Sequence, residues 1–214
     1  MDVIRWFPLD RLAELEAAIG ADLASVRLTE RRDALAVALG LHGLRVGEVR
    51  RAGVADLVQS SGFLHVPPFK RGYGRNIPLD RSVVNALVAY LRERRVDSSQ
   101  LLCTRTGRPV CHKRFQRAAG RMFVRVLGES TDGLTFHSLR HTFAMRTYQR
   151  TKDLDLVKRL LGHRSITSTE VYARSLSELP ADCLVKVAGG FSGRREAVRL
   201  MRPVRSTRLR VFRG

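Results

Sequence analysis

Apolar residues at Leu9, Leu12, Leu15, Ile19 and Leu23 recur at steps of three and four, with Asp and Glu on the other side. That step places all five on one face of an amphipathic α-helix, whose end Gly20 is expected to weaken. Thr29, followed by Glu30 and Asp33, reads as an N-cap with acidic residues in the first turn. Leu35, Val37, Ala38 and Leu39 continue it as a mostly buried helix that stops near Gly40 or Gly43, and another helix starts near Val46. The pattern then changes. Phe63, His65 and Val66, a break at Lys70-Arg71-Gly72-Tyr73-Gly74-Arg75, and Asn76-Ile77-Pro78-Leu79 read as a short β-hairpin whose glycine-bearing turn exposes its basic residues. From Arg81 onward helices are predicted over Val83–Arg94, Lys113–Leu127, His137–Arg150 and Leu154–Leu161, with a short turn or helix at Thr167–Tyr172. The fold class is therefore α+β: mostly helical, with a small antiparallel hairpin or sheet.

The 214 residues carry 39 Lys or Arg against 20 Asp or Glu, a formal net charge of +19. With 44% hydrophobic residues such a chain buries enough apolar surface to fold, so the excess charge marks a polyanionic partner rather than a disordered basic tail. No apolar run is long enough to span a bilayer, and Asp2 and Arg5 interrupt the place of a signal peptide. A soluble, cytoplasmic, nucleoid-associated protein is expected. Cys103, Cys111 and Cys183 are odd in number and irregularly spaced, which argues against a disulfide framework. Lysine occurs only at Lys70, Lys113, Lys152, Lys158 and Lys186, so the remaining basic residues are all Arg. Arg suits bidentate phosphate contacts, although genomic base composition accounts for the preference equally well.

Five short signals carry chemistry: Gly43-Leu44-Arg45 opening a helix with Glu48 three residues on; Lys70 at the hairpin break, followed by Ile77-Pro78-Leu79; His137-Ser138-Leu139-Arg140-His141; Leu161-Gly162-His163; and Tyr172, nine residues after His163. Metal-free cleavage of a phosphodiester needs cations around the five-coordinate phosphorus. Guanidinium is suited to this, because it donates parallel hydrogen bonds and never deprotonates; Arg45 and Arg140 are the candidates. The Tyr172 hydroxyl, with an ordinary pKa of about 10, is a nucleophile only beside positive charge or a base. A lysine near other cations has its pKa lowered, which makes Lys70 the candidate general acid for the leaving oxygen. His137 and His163 titrate near neutrality and suit phosphate contact or proton transfer.

In order and spacing, this set over roughly residues 29 to 175 resembles the catalytic domain of the tyrosine recombinases, or phage integrase family. The resemblance implies a site-specific recombinase or integrase that breaks and rejoins duplex DNA through a covalent 3′-phosphotyrosyl intermediate, without metal, ATP or other cofactor. It assigns His137 to acid/base work, His163 to phosphate binding and Glu48 to support of the site; taken alone, Glu48 would pass for a solvated helix charge or a salt-bridge partner. The implied partners are double-stranded DNA and further copies of the chain in a tetrameric synapse. Arg71, Arg75, Arg194, Arg195 and Arg199 are expected to contact DNA, the first two through backbone phosphates.

Other readings of the same residues are weaker. His137 and His141 lie four apart, but neither a following Glu nor a third ligand is apparent, so no metal site is expected. Tyr148 lies mid-helix with no His nine residues before it, which favours packing. The division expected is a short helical segment over 1–28 in place of a full N-terminal DNA-binding domain, the catalytic domain over 29–180, and a basic tail over 181–214, where Gly193 to Gly214 holds eight Arg and one Glu. Within that tail, Leu184 to Phe191 is a candidate segment for packing on a neighbouring protomer. The hairpin departs from the commoner Lys-Gly-x-Lys pattern. The competing functions are a type IB-like topoisomerase and a non-catalytic DNA-binding protein derived from a truncated integrase.

Overall fold

The computed structural model describes residues 5–68, 74–128, 131 and 133–162. In chain order they form α1 (Leu12–Leu23, entered through a 3₁₀ turn at Leu9–Arg11), α2 (Leu28–Leu41), α3 (Val46–Arg51), β1 (Leu57–Val58), β2 (Phe63–Val66), β3 (Arg75–Pro78), α4 (Arg81–Glu93), α5 (His112–Leu127), α6 (Phe136–Thr151) and α7 (Leu154–Leu161). The strands make one antiparallel sheet in the order β1-β2-β3, with Leu64 opposite both Leu57 and Ile77. The α+β class predicted from periodicity is the one observed. Lys70, Arg71, His163, Tyr172, Arg194, Arg195 and Arg199, with the element expected at Thr167–Tyr172 and the segment 181–214, lie outside the described residues.

Helix α2 is the centre of the fold. Every residue from Arg32 to Leu41 is buried, as expected of a helix surrounded by others, and α1, α4, α5 and α6 all pack on it. Its buried carboxylate, Asp33, accepts hydrogen bonds from Arg32, Arg114 and Arg121, so its charge is paired where water is excluded. Helix α1, inside the 1–28 segment, buries Leu12, Leu15 and Ile19 in the same core as α2. Ahead of it the Phe7 ring is fully buried, and its backbone N–H donates to Thr142 Oγ1 at 2.8 Å, tying the N-terminal segment to α6.

The local differences from the sequence reading have physical causes. Helix α2 begins at Leu28, with Thr29 inside its first turn. The Ser25 hydroxyl instead accepts from the Arg27 N–H and bonds Glu30 Oε2, so the hydroxyl that organises this entry lies four residues earlier. Helix α1 runs through Gly20 to Leu23, the end that the periodicity predicts, and starts at Leu12 rather than Leu9. A helical glycine costs only about 1 kcal/mol, less than the roughly 1.5–3 kcal/mol from burying one large apolar side chain such as Leu15. Strand β1 is two residues long, too short to show a period in the sequence.

Two features bring distant segments together. Gly43 has φ +90°, and a Cβ there would lie 2.7 Å from Phe143 Cδ1, so only glycine lets the α2–α3 turn press against α6. In β3 the side chains of Arg75 and Ile77 share a face, by the two-residue period of a strand, and Ile77 is fully buried. Arg75 therefore enters the protein from the sheet edge.

Candidate active site

Arg45 stands at the N-cap of α3, where the Glu48 carboxylate reaches back to accept from the Arg45 backbone N–H at 2.8 Å. This is the acidic half of a capping box, and it places Glu48 against the unpaired amides and positive end of the helix. The same carboxylate accepts from Arg45 Nη1 at 3.0 Å. Arg75 meets it in a fork: Nη1 donates to Oε1 at 3.0 Å and Nη2 to Oε2 at 2.8 Å. Arg140 Nη1, from α6, lies 3.6 Å from Oε2. Three guanidiniums thus surround one carboxylate and leave the cluster positive.

The three cations are not equally placed. The Arg45 side chain is 40% exposed, the Arg75 side chain 7% and the Arg140 side chain 1%. Arg140 is anchored by backbone: Nη1 donates to the Gly43 carbonyl at 2.6 Å and Nη2 to the Leu161 carbonyl. It therefore links the α2–α3 turn to the end of α7, and holds its charge at a defined point behind Arg45. The Glu48 side chain is 6% exposed. Burial pushes its pKa up, but the hydrogen bonds and charge of Arg75, the Arg45 amide and the Arg140 charge outweigh that and bring it to about 2. Glu48 is an anion throughout the physiological range.

His137 lies at the exposed start of α6, which Thr135 caps through the His137 backbone N–H. Partial burial of the ring, then the charges of Arg140 and Arg45, push its pKa below the ordinary imidazole value, against the opposing Glu48 carboxylate. The ring is therefore neutral near pH 7 and able to accept a proton. It meets His141 edge-on, with ring centroids 4.4 Å apart.

Of the expected site, the structure brings together Arg45, Glu48, His137 and Arg140. Arg75, expected as a phosphate contact, has its guanidinium bonded to Glu48 and, through Nε, to the Leu160 carbonyl at 2.7 Å. The signal that identifies it is the strand period, since an arginine two residues before a core isoleucine points inward. The carbonyls of Gly43 and Leu161 that hold Arg140 carry no signal at all, because every residue has a carbonyl.

A family model described as the Phage integrase family matches residues 13–178. The tyrosine recombinase XerA of Pyrococcus furiosus is 34% identical over 132 residues, 62% of this chain and 46% of that protein. The tyrosine recombinase XerD of Rhizobium meliloti is 33% identical over 177 residues, 78% of this chain and 53% of that protein. The chain spans about half the length of these curated relatives. Two solved structures share the fold. The crystal structure of XerA recombinase has a TM-score of 0.68 at 22% identity, over 86% of this chain and 62% of that one. The XerH site-specific recombinase bound to palindromic difH substrate, a post-cleavage complex, has a TM-score of 0.70 at 22% identity, over 81% and 50%. The arginine cluster therefore sits in a known catalytic-domain fold, and the chain belongs to the phage integrase family.

Proposed function

We propose that this chain breaks and rejoins duplex DNA as a site-specific tyrosine recombinase. The observation that carries the reading is the convergence of Arg45, Arg140 and neutral His137 around Glu48, a positive site with one guanidinium open to solvent and an imidazole ready to accept a proton. Names of similar proteins, including recombinases solved on DNA substrates, support duplex DNA as the partner. Its place of action is the cytoplasm, on the chromosome, where such a substrate lies. Among the described residues no helix is long and apolar enough to cross a membrane.

In the reaction, the Tyr172 oxygen attacks the scissile phosphorus and its proton passes to His137. The new bond is Tyr–O–P, and the bond that breaks is P–O5′, whose oxygen takes a proton from Lys70. Arg45 and Arg140, with His163, stabilise the extra charge on the non-bridging oxygens. Arg140 is already oriented by two carbonyls, so little rearrangement accompanies that stabilisation. The 3′-phosphotyrosine retains the energy of the broken ester, and a 5′-hydroxyl from a second strand reverses the step without ATP. Exchange between two duplexes takes place in a multimer, with a tetrameric synapse the simplest form.

The test is a suicide substrate, a nicked site from which the 5′-hydroxyl diffuses after cleavage. A covalent protein–DNA adduct is expected with the native chain and none with Tyr172→Phe. An adduct that persists in the variant, or none with the native chain on any site tried, refutes the proposal.

A further inference from the structure

The last carbonyls of an α-helix have no partner inside the helix. In α7 two of them are taken by arginines from elsewhere: Leu160 O by Arg75 Nε, from β3, and Leu161 O by Arg140 Nη2, from α6. Cations at a helix C-terminus are also favoured by its dipole. Both arginines reach Glu48, Arg75 as a fork and Arg140 as an ion pair. Carboxylate, two guanidiniums and two helix-end carbonyls therefore form a closed circuit through α3, β3, α6 and α7. Directly after that helix end comes Gly162, and His163 is the next residue in the chain.

Gly162 reinforces the circuit. It has φ +66°, and a Cβ there would lie 3.0 Å from Arg75 Nη1 and 3.1 Å from its Cδ. Gly162 thus packs against the Arg75 side chain, which also donates to the last turn of α7. Lysine has no equivalent, because one ammonium cannot hold a carboxylate as a fork and also donate through a separate Nε.

We propose that Arg75 is a positioning residue for DNA cleavage, locking Glu48 and the C-terminal turn of α7 into one arrangement, and that it makes no contact with DNA phosphate. The proposal rests on the recombinase reading above. Arg75 sets the orientation of Arg45 through Glu48. It also holds Leu160 and packs on Gly162, the residue before His163 in the chain, while touching no reacting atom itself. A displacement of catalytic groups by about 1 Å costs on the order of 10²-fold in rate, so the effect belongs to the chemical step rather than to affinity.

The experiment measures single-turnover adduct formation on the suicide substrate at saturating DNA, together with duplex affinity across a salt series, for the full chain and for Arg75→Lys, Arg75→Gln and Gly162→Ala. On the positioning role, all three variants lose roughly 10²-fold in the saturated cleavage rate while affinity and its salt dependence stay unchanged. A phosphate contact gives the opposite result: affinity falls, the salt slope shrinks by about 0.9 for the lost contact, and the saturated rate of Arg75→Lys is that of the native chain. That outcome, or variants indistinguishable from the native chain in rate, overturns the positioning role alone. No adduct from the native chain overturns both this proposal and the recombinase reading. If Arg75→Gln fails to fold, the charge-retaining Arg75→Lys decides.

Discussion

Replacing Glu48 with glutamine isolates the anion at the centre of the arginine cluster. A glutamine side chain has nearly the shape of a protonated glutamate, so the change removes charge and leaves the packing. A side chain 6% exposed, with its pKa brought from 4.5 to about 2, prefers the carboxylate in the folded state by roughly 3 kcal/mol. The folded pKa lies below the unfolded one, so this stability is fully present above about pH 4.5 and is lost as pH falls through about 2. At neutral pH, Glu48→Gln should cost about 3–5 kcal/mol, the penalty for leaving buried cations without their partner. The difference between native and variant stability should then stay constant down to about pH 5 and close by roughly 3 kcal/mol towards pH 2, with a slope approaching about 1.4 kcal/mol per pH unit. Urea unfolding of both proteins in parallel measures it, because other acid-labile carboxylates cancel in the difference. A difference that is the same at about pH 7 and at about pH 2.5 would refute the argument.

Three further outcomes separate the arginines and test the histidine. Arg140→Ala, which removes a 1%-exposed guanidinium and orphans the Gly43 and Leu161 carbonyls, should lower stability by about 3–5 kcal/mol in urea unfolding. Arg45→Ala, at a 40%-exposed side chain, should cost about 1 kcal/mol or less of stability but on the order of 10²–10³-fold in saturated adduct formation. A large folding defect in Arg45→Ala would contradict that division of roles. His137→Gln should slow adduct formation by about 10²–10⁴-fold. Because the native imidazole titrates below its ordinary value of about 6.5, the midpoint of the acid limb of the native rate should lie below that pH. A midpoint above that pH counts against His137 as the base.

The helices were legible because their period is local. Leu154–Leu161 coincides with the predicted α7, and the expected starts of α3 and α6 lie within a residue of those observed. The site was legible in part for the same reason, since Arg45 with Glu48, and His137 with Arg140, are pairs within single helical turns. The N-terminus of α2 was misplaced because Ser25 and Thr29 are equally good caps by type, and only the bonds they make distinguish them. The bonds of Arg75 to Glu48 and Leu160 were not legible, because an arginine in a basic hairpin looks like every other solvent-facing cation until its strand face is known.

By itself the sequence determined that the chain is mostly helical, that its charge calls for a polyanion, and which residue types are available for phosphoryl transfer, since period, net charge and functional group are properties of the residues alone. Only the tertiary structure decided which arginines face solvent and which are held inside. Arg140 is fastened by carbonyls 97 and 21 residues away, and Arg75 by a carboxylate 27 and a carbonyl 85 residues away. A guanidinium's role depends on the partners that fold around it, and when those partners are backbone carbonyls no residue type announces them.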